Sequence, residues 1–332
     1  MLGSSAQALN RAYDLAMLDL DGVVYVGGRA VPGAPEHLAQ ARAAGQRLAF
    51  ITNNASRPPQ RVAAQLRELG VEADVEDVVT SAQAAARVVG ERFGAGARVV
   101  CLGAEGLLQA LEAEGLVPVG ADDEAVAVTT GYGPEVRWAE IMRAAVRIRD
   151  GLPWVASNTD ATFPAEFGVA PGHGVQVDML RRFSGVDPIV AGKPERPLLD
   201  ETVRRVGGRR PLMVGDRLDT DIKGARRAGI DSLLVMTGVT GLAELVAADP
   251  RERPTFVAPD LAGLGEEHGS PERGPEGFAL GGWLARAPGG RLSVDGDGAP
   301  GDWWRAVTAT AWDHLDETGT AVLLSDVEEP AR

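Results

Sequence analysis

Met17-Leu18-Asp19-Leu20-Asp21-Gly22-Val23 is an apolar run that ends in two carboxylates two residues apart, followed by a glycine. Leu15–Leu18 carries four consecutive apolar residues between polar neighbours, the pattern of a strand buried on both faces. Residues i and i+2 of a strand project to the same side, so Asp19 and Asp21 leave its end together, and Gly22 lets the chain turn away. In an open α/β sheet the ligand site gathers outside the carboxyl ends of the strands.

The same alternation continues outward. Residues 35–44 read as a helix closed by Gly45, and 47–51 as a second strand. Val62, Leu66 and Leu69 share one helical face before a stop at Gly70. Further strands are expected at Arg98–Leu102, 126–130, 154–157, 188–190, 212–214 and 232–236, most followed by a helical pattern. Short apolar runs alternating with amphipathic stretches from residue 13 to about 259 define an α/β protein with a parallel sheet. No fixed-period repeat emerges.

Three more sequences stand at strand ends. Phe50-Ile51-Thr52-Asn53-Asn54 ends a strand in a hydroxyl, Ala191-Gly192-Lys193-Pro194 offers an ammonium, and Val214-Gly215-Asp216-Arg217-Leu218-Asp219-Thr220-Asp221 adds three carboxylates. Singly each has a plain reading: Asp19 or Asp216 as a helix N-cap, Thr52 as a capping hydroxyl, Lys193 as a solvated charge, Asp221 as a first-turn acid. Together they point to phosphoryl transfer. A phosphomonoester dianion is repelled by Asp19, Asp21 and Asp216, so such a site needs a divalent cation, and oxygen-only ligands favour Mg²⁺. Lys193 adds positive charge, and Thr52 with nearby backbone N–H groups adds donors for phosphoryl oxygens. Asp19 is then the nucleophile that forms an aspartyl-phosphate, and Asp21 the acid/base that serves leaving group and water.

Composition excludes most other classes. The 332 residues leave room for about two domains and an appendage, with 45% apolar and 24% charged residues. Apolar runs stay far below the ~18 residues of a membrane span, and no basic segment leads a sustained apolar stretch at the N-terminus, so the expected location is the cytoplasm. The single cysteine, Cys101, forbids an internal disulfide, and His37, His173, His268 and His314 lack metal-ligand spacing. Thirty-three basic against 47 acidic residues give −14, which repels polyanions: neither nucleic acid nor an acidic membrane is an expected partner. A small phosphorylated metabolite is.

L-D-x-D-G-V-x-Y from Leu18, F-I-T-N-N-x-S-R from Phe50, G-K-P at Gly192 and M-V-G-D-R-L-D-T-D-I from Met213 resemble the haloacid dehalogenase (HAD) superfamily of phosphohydrolases. More narrowly they are similar to its NagD, 4-nitrophenylphosphatase and phosphoglycolate phosphatase branch. The resemblance implies a Rossmann-like core in residues 1–81 and 188–259 with a large α/β cap inserted at 82–187. It implies Asp19 as nucleophile and Asp21 as acid/base whose backbone carbonyl also binds Mg²⁺. Asp216 becomes a metal ligand, Asp221 a metal-proximal or water-mediated one, and Thr52 and Lys193 phosphate binders, with Asn53 beside them at phosphate or substrate. Asn158 and Asp160 match the pattern N-x-D-x-x-x-P; they orient the cap, reach the active site, or form an Asx-turn. The chain most resembles actinobacterial members with a C-terminal extension that hydrolyse glycerol 3-phosphate, with phosphoglycolate, pyridoxal phosphate and nucleoside monophosphates as alternatives. Cap-mediated homodimers occur in such a family, but no apolar face in the sequence identifies one.

Two other classes fit less well. A receiver-like phospho-aspartate signalling module also combines Asp, Thr, Lys and Mg²⁺, but an acid/base two residues from the acceptor hastens loss of the phosphoryl group. A silent scaffold would not keep clustered carboxylates that repel one another. Asp295-Gly296-Asp297-Gly298 lacks the spaced acids of a calcium loop, Gly131-Tyr132-Gly133 lacks the third glycine of a dinucleotide fingerprint, and no Gly-x-Ser-x-Gly elbow occurs.

Residues 260–332 differ. Glycine and proline are dense from 261 to 301, yet four of the six tryptophans (Trp283, Trp303, Trp304, Trp312) lie here. Either a loop-rich connection leads to a small α+β appendage, with a helix at 302–315 and a strand at 320–324, or the tryptophans pack onto the main body. On the first reading a chain ending near Pro259 keeps its activity.

Overall fold

The computed structural model describes residues 2–165, 168–325 and 327–330. By internal contacts the chain forms two compact units, residues 1–48, 69–72 and 208–332 in one, residues 49–68 and 73–207 in the other.

In the first unit four parallel strands lie in the order Phe256–Ala258, Asp231–Val235, Pro211–Gly215, Leu15–Leu18. Leu15, Ala16, Met17 and Leu18 are fully buried, as the uninterrupted apolar run requires for a strand covered on both faces. Leu15 stands opposite Pro211 and Leu18 opposite Val214, a register that brings Asp19 and Asp216 out at the same end of neighbouring strands. The helix Ala34–Ala43 follows, and Arg47–Thr52 carries the chain onward.

The C-terminal stretch is folded throughout most of its length. Glu272–Arg273, Phe278–Leu280, Trp283–Arg286 and Ser293–Gly296 form a four-stranded antiparallel sheet, followed by the 19-residue helix Pro300–Thr318. The expected helix at 302–315 is present and longer. Where a strand was expected at 320–324, only an isolated bridge between Arg291 and Leu323 forms. Trp303, Trp304 and Trp312 are nearly fully buried in one cluster with Leu234, Leu245, Val257 and Ile222. The Trp303 and Trp304 rings meet edge to face, centroids 5.0 Å apart, and Trp312 Nε1 donates to Leu245 O at 2.8 Å. The tail tryptophans and the parallel strands therefore share one core, and a chain ending near Pro259 would leave that face of the sheet bare. Density of glycine and proline hid the small sheet, because its strands are only two to four residues long and separated by turns.

In the second unit Phe50, Ile51 and Thr52 pair in parallel with Val78, Val79 and Thr80. Thr80 then caps the helix Ser81–Phe93, its hydroxyl accepting from Gln83 N. A five-stranded parallel sheet has the order Ile189–Val190, Trp154–Ala156, Ala127–Thr130, Arg98–Leu102, Val117–Val119. Its core gathers Val100, Leu102, Val128, Trp154, Ile148 and Leu180. An antiparallel pair, Thr162–Ala165 with Gly168–Pro171, leads into the helix His173–Ser184. No helix among the described residues is long and apolar enough to cross a membrane. The α/β class with parallel sheets and smaller additional sheets is as the sequence implied.

Candidate active site

The first unit brings three of the predicted acids together. Carboxylate oxygens of Asp19, Asp216 and Asp221 all lie within 4.8 Å of one another; Asp216 and Asp221 are fully buried and Asp19 partly so. Each is placed by backbone. Asp19 N donates to Val214 O at 2.9 Å, which extends the strand ladder to the first residue beyond the strand. Asp221 Oδ2 accepts from Asp216 N at 3.2 Å and Arg217 N at 3.1 Å, folding the Leu218–Ile222 turn back over the strand end. Asp216 Oδ2 accepts from Val239 N at 2.7 Å, and Asp216 O from Thr240 N at 3.1 Å.

Space around Asp216 is reserved by two glycines. A Cβ on Gly22 would stand 2.6 Å from Asp216 Cγ, and one on Gly238 would collide with the same carboxylate. Gly22 also has φ +86°, so both the approach and the turn need glycine there. Thr237 Oγ1 donates to Gly22 O at 2.6 Å, tying that turn to the loop that holds Asp216. Sequence reasoning missed this 237–240 loop; its only signal was a glycine three residues after the strand Asp231–Val235. Asp21 is exposed and outside the cluster of carboxylates, and Asp219 instead pairs with Arg217, with contacts of 2.9 and 3.1 Å.

The donor set can be tested against a dication. In an octahedron with Mg–O of ~2.1 Å, opposite ligands are ~4.2 Å apart and adjacent ones closer. Three carboxylate oxygens mutually within 4.8 Å suit that shell with small adjustment, and three oxygen donors without nitrogen or sulfur suit a hard cation.

The second unit brings together the remaining predicted residues. Thr52 is buried at the strand end, and its Oγ1 accepts from Asn54 N at 3.1 Å. Asn53 is a hub. Its Oδ1 accepts from Lys193 N at 2.8 Å, while its Nδ2 donates to Lys193 O and to Asp160 Oδ1, both at 3.0 Å. The Asn53 carbonyl accepts from Asn158 Nδ2 at 2.7 Å and from Ser81 Oγ at 2.5 Å. Asn158 Oδ1 accepts from Asp160 N at 3.1 Å, the Asx-turn that the sequence left open. Lys193 is almost fully buried and precedes a cis peptide bond to Pro194. Ser81 was not singled out in the sequence: a serine one residue after a strand reads as a helix start, and its distant partner leaves no local trace.

A cleft of about 580 Å³ lies elsewhere, in the C-terminal stretch between Arg273, Phe278, Arg286 and His314, and none of the predicted site residues lines it.

The sequence matches the family models of the haloacid dehalogenase-like hydrolases over residues 16–117 and 190–264, and the chain belongs to that family; it is a phosphoric monoester hydrolase of HAD type. Among relatives, it is 41% identical to the D-glycerol 3-phosphate phosphatase of Mycobacterium tuberculosis over 317 residues, 92% of this chain and 88% of that protein. The crystal structure of the M. tuberculosis glycerol phosphate phosphatase with magnesium superposes with a TM-score of 0.83 over 92% of both chains, again at 41% identity. The 4-nitrophenylphosphatase of Thermotoga maritima is 31% identical with a TM-score of 0.72, covering 78% of this chain and 98% of that one.

Proposed function

We propose that this chain is a Mg²⁺-dependent phosphatase that hydrolyses glycerol 3-phosphate by way of an aspartyl-phosphate on Asp19. The observation that carries the reading is the buried oxygen-only cluster of Asp19, Asp216 and Asp221, formed by the motif residues themselves. The substrate is supported by the likeness, over nine-tenths of the chain, to a relative named for that activity. Asp19, Asp216 and Asp221, with the Asp21 carbonyl, would hold Mg²⁺, which offsets the charge of the phosphate and lets an anionic nucleophile approach it.

Asp19 stands at the first position beyond its strand, where its carboxylate can attack phosphorus while its backbone is held by Val214. The bond to the leaving alkoxide breaks as Asp21, on an exposed turn, delivers a proton to that oxygen. Asp21 then takes a proton from the water that attacks the phospho-aspartate, releasing inorganic phosphate and restoring Asp19. Thr52 and Lys193 bind phosphoryl oxygens by hydrogen bond and by charge. Asn53, with its carboxamide committed to Lys193 and Asp160, positions Lys193 beside the phosphate. The domain plan is part of the same proposal: residues 82–187 form the inserted cap that screens small esters, and the tail stabilises the core. A phosphoryl-storing receiver-like module is disfavoured by Asp21.

Phosphate release from a panel of glycerol 3-phosphate, phosphoglycolate, pyridoxal phosphate and a nucleoside monophosphate, each with Mg²⁺, tests the reading. The highest kcat/KM is expected for glycerol 3-phosphate; a tenfold preference for another ester would overturn the substrate, and no release from any would overturn the activity.

A further inference from the structure

The stretch Gly172-His173-Gly174 has no part in the reactions above, yet it abuts the Asn158–Asn53 network. Gly174 N donates to Asp160 O at 2.9 Å and Gly172 N to Ala161 O at 2.8 Å. A Cβ on Gly174 would stand 2.7 Å from the Thr159 carbonyl carbon, and one on Gly172 would strike Asp160 O, so only glycine lets the two backbones touch. Between them His173 is 2% exposed and its Nδ1 is 2.9 Å from Asn158 O. A carbonyl oxygen only accepts, so Nδ1 carries the proton and Nε2 is bare. Nε2 has no hydrogen-bond partner among the described residues, and burial pushes the imidazole down to about 4, which keeps it neutral.

The hydrogen bonds run without a gap. His173 fixes the carbonyl of Asn158, Asn158 fixes the carbonyl of Asn53, and Asn53 grips both the N–H and the C=O of Lys193. The chain ends on the backbone of the one lysine of the motif set, and every member except Asp160 at its side is buried. A side chain that must meet a phosphoryl oxygen within a few tenths of an ångström needs such a supporting shell.

We propose that Gly172-His173-Gly174 is a positioning clamp for Lys193, with His173 acting through Asn158 and Asn53 to set where the ammonium stands. The inference rests on the reading of Lys193 as a phosphate binder. Full-length His173→Leu, His173→Asn and Lys193→Met are to be compared by kcat, KM, inhibition by inorganic phosphate and the Mg²⁺ concentration for half-maximal rate. Removing the buried donor in His173→Leu is expected to weaken phosphate inhibition and lower kcat/KM about tenfold. The Mg²⁺ requirement should not change. His173→Asn, whose amide nitrogen branches at the same carbon as Nδ1, should recover most of the loss.

Wild-type phosphate inhibition in His173→Leu, with inhibition lost in Lys193→Met, would overturn the clamp while leaving the role of Lys193 intact. Equal impairment of His173→Asn and His173→Leu would overturn it too. Unchanged inhibition in Lys193→Met would remove the reading on which the clamp rests, and the clamp with it. Should His173→Leu fail to fold, His173→Gln replaces it: its amide sits one carbon further out, so it is expected to lose what His173→Asn keeps, and equal activity of the two would refute the proposal.

Discussion

Asp216 and Lys193 are both buried charged residues just beyond a parallel strand, but their settings differ in kind. Asp216 shares its corner with two further carboxylates, and the chain holds them there with backbone N–H groups and with glycines that clear the space. The backbone of Lys193 is held by the Asn53 carboxamide, which is braced in turn by Asn158, Ser81 and the Asp160 carboxylate, with His173 behind Asn158. In the first arrangement like charges stand close enough to repel, a repulsion that an added cation would offset. The second is a hydrogen-bonded scaffold that needs nothing added. One half of the chemistry is thus metal-linked and the other is built into the fold.

The largest expected effect separates the two halves. Asp216→Asn should cut kcat by on the order of 100-fold or more, as for loss of a ligand group, and should weaken the rise in melting temperature that Mg²⁺ brings about. Lys193→Met should keep that rise while losing activity. Melting curves with and without Mg²⁺ decide: equal Mg²⁺ stabilisation in wild type and Asp216→Asn would break the distinction.

The tail offers the next test. Trp312 packs with residues of the sheet and of the Leu218–Ile222 turn that carries Asp221. Trp312→Ala should cost roughly 3–5 kcal/mol in urea unfolding, and truncation near Pro259 should cost more, because the same core loses three buried tryptophans. A truncated chain with native melting temperature would show that the tail merely rests on the surface.

The smallest effect is on pH. Burial pushes His173 and His268 down to about 4 from the ordinary 6.5, with Arg305 repelling the charged form of His268 as well. Neutral in the fold, each takes up a proton below about 6.5 once unfolded. Stability should therefore be complete above that pH and decline as pH falls toward 4. Replacing either histidine by a non-titrating side chain should flatten this decline, His268→Gln in one unit and His173→Asn in the other. Identical urea midpoints at pH 7 and pH 5 in the wild type would refute it.

Much of this was legible in the sequence because it is local. Leu15–Leu18 and Arg98–Leu102 appear with the expected ends, and the acids of the first and last motifs meet because neighbouring strands bring their ends level. Asn53, Asn158, Asp160 and Lys193 are also singled out in the sequence, with the local Asx-turn of Asn158 and Asp160 as one reading, but not the long bonds from Asn53: partners 105 to 140 residues apart leave no periodicity. Ser81 and His173 escape notice because their partners, 28 and 15 residues away, leave no local pattern, and the tail sheet because its turns dominate its composition.

The most direct measurement follows Asp19 during turnover. Enzyme quenched while hydrolysing glycerol 3-phosphate with Mg²⁺ and reduced with borohydride should carry homoserine at position 19 by peptide mass spectrometry, because an acyl phosphate is reduced where a carboxylate is not. Turnover with residue 19 unmodified, or Asp19→Asn enzyme hydrolysing at the wild-type rate, would contradict the account.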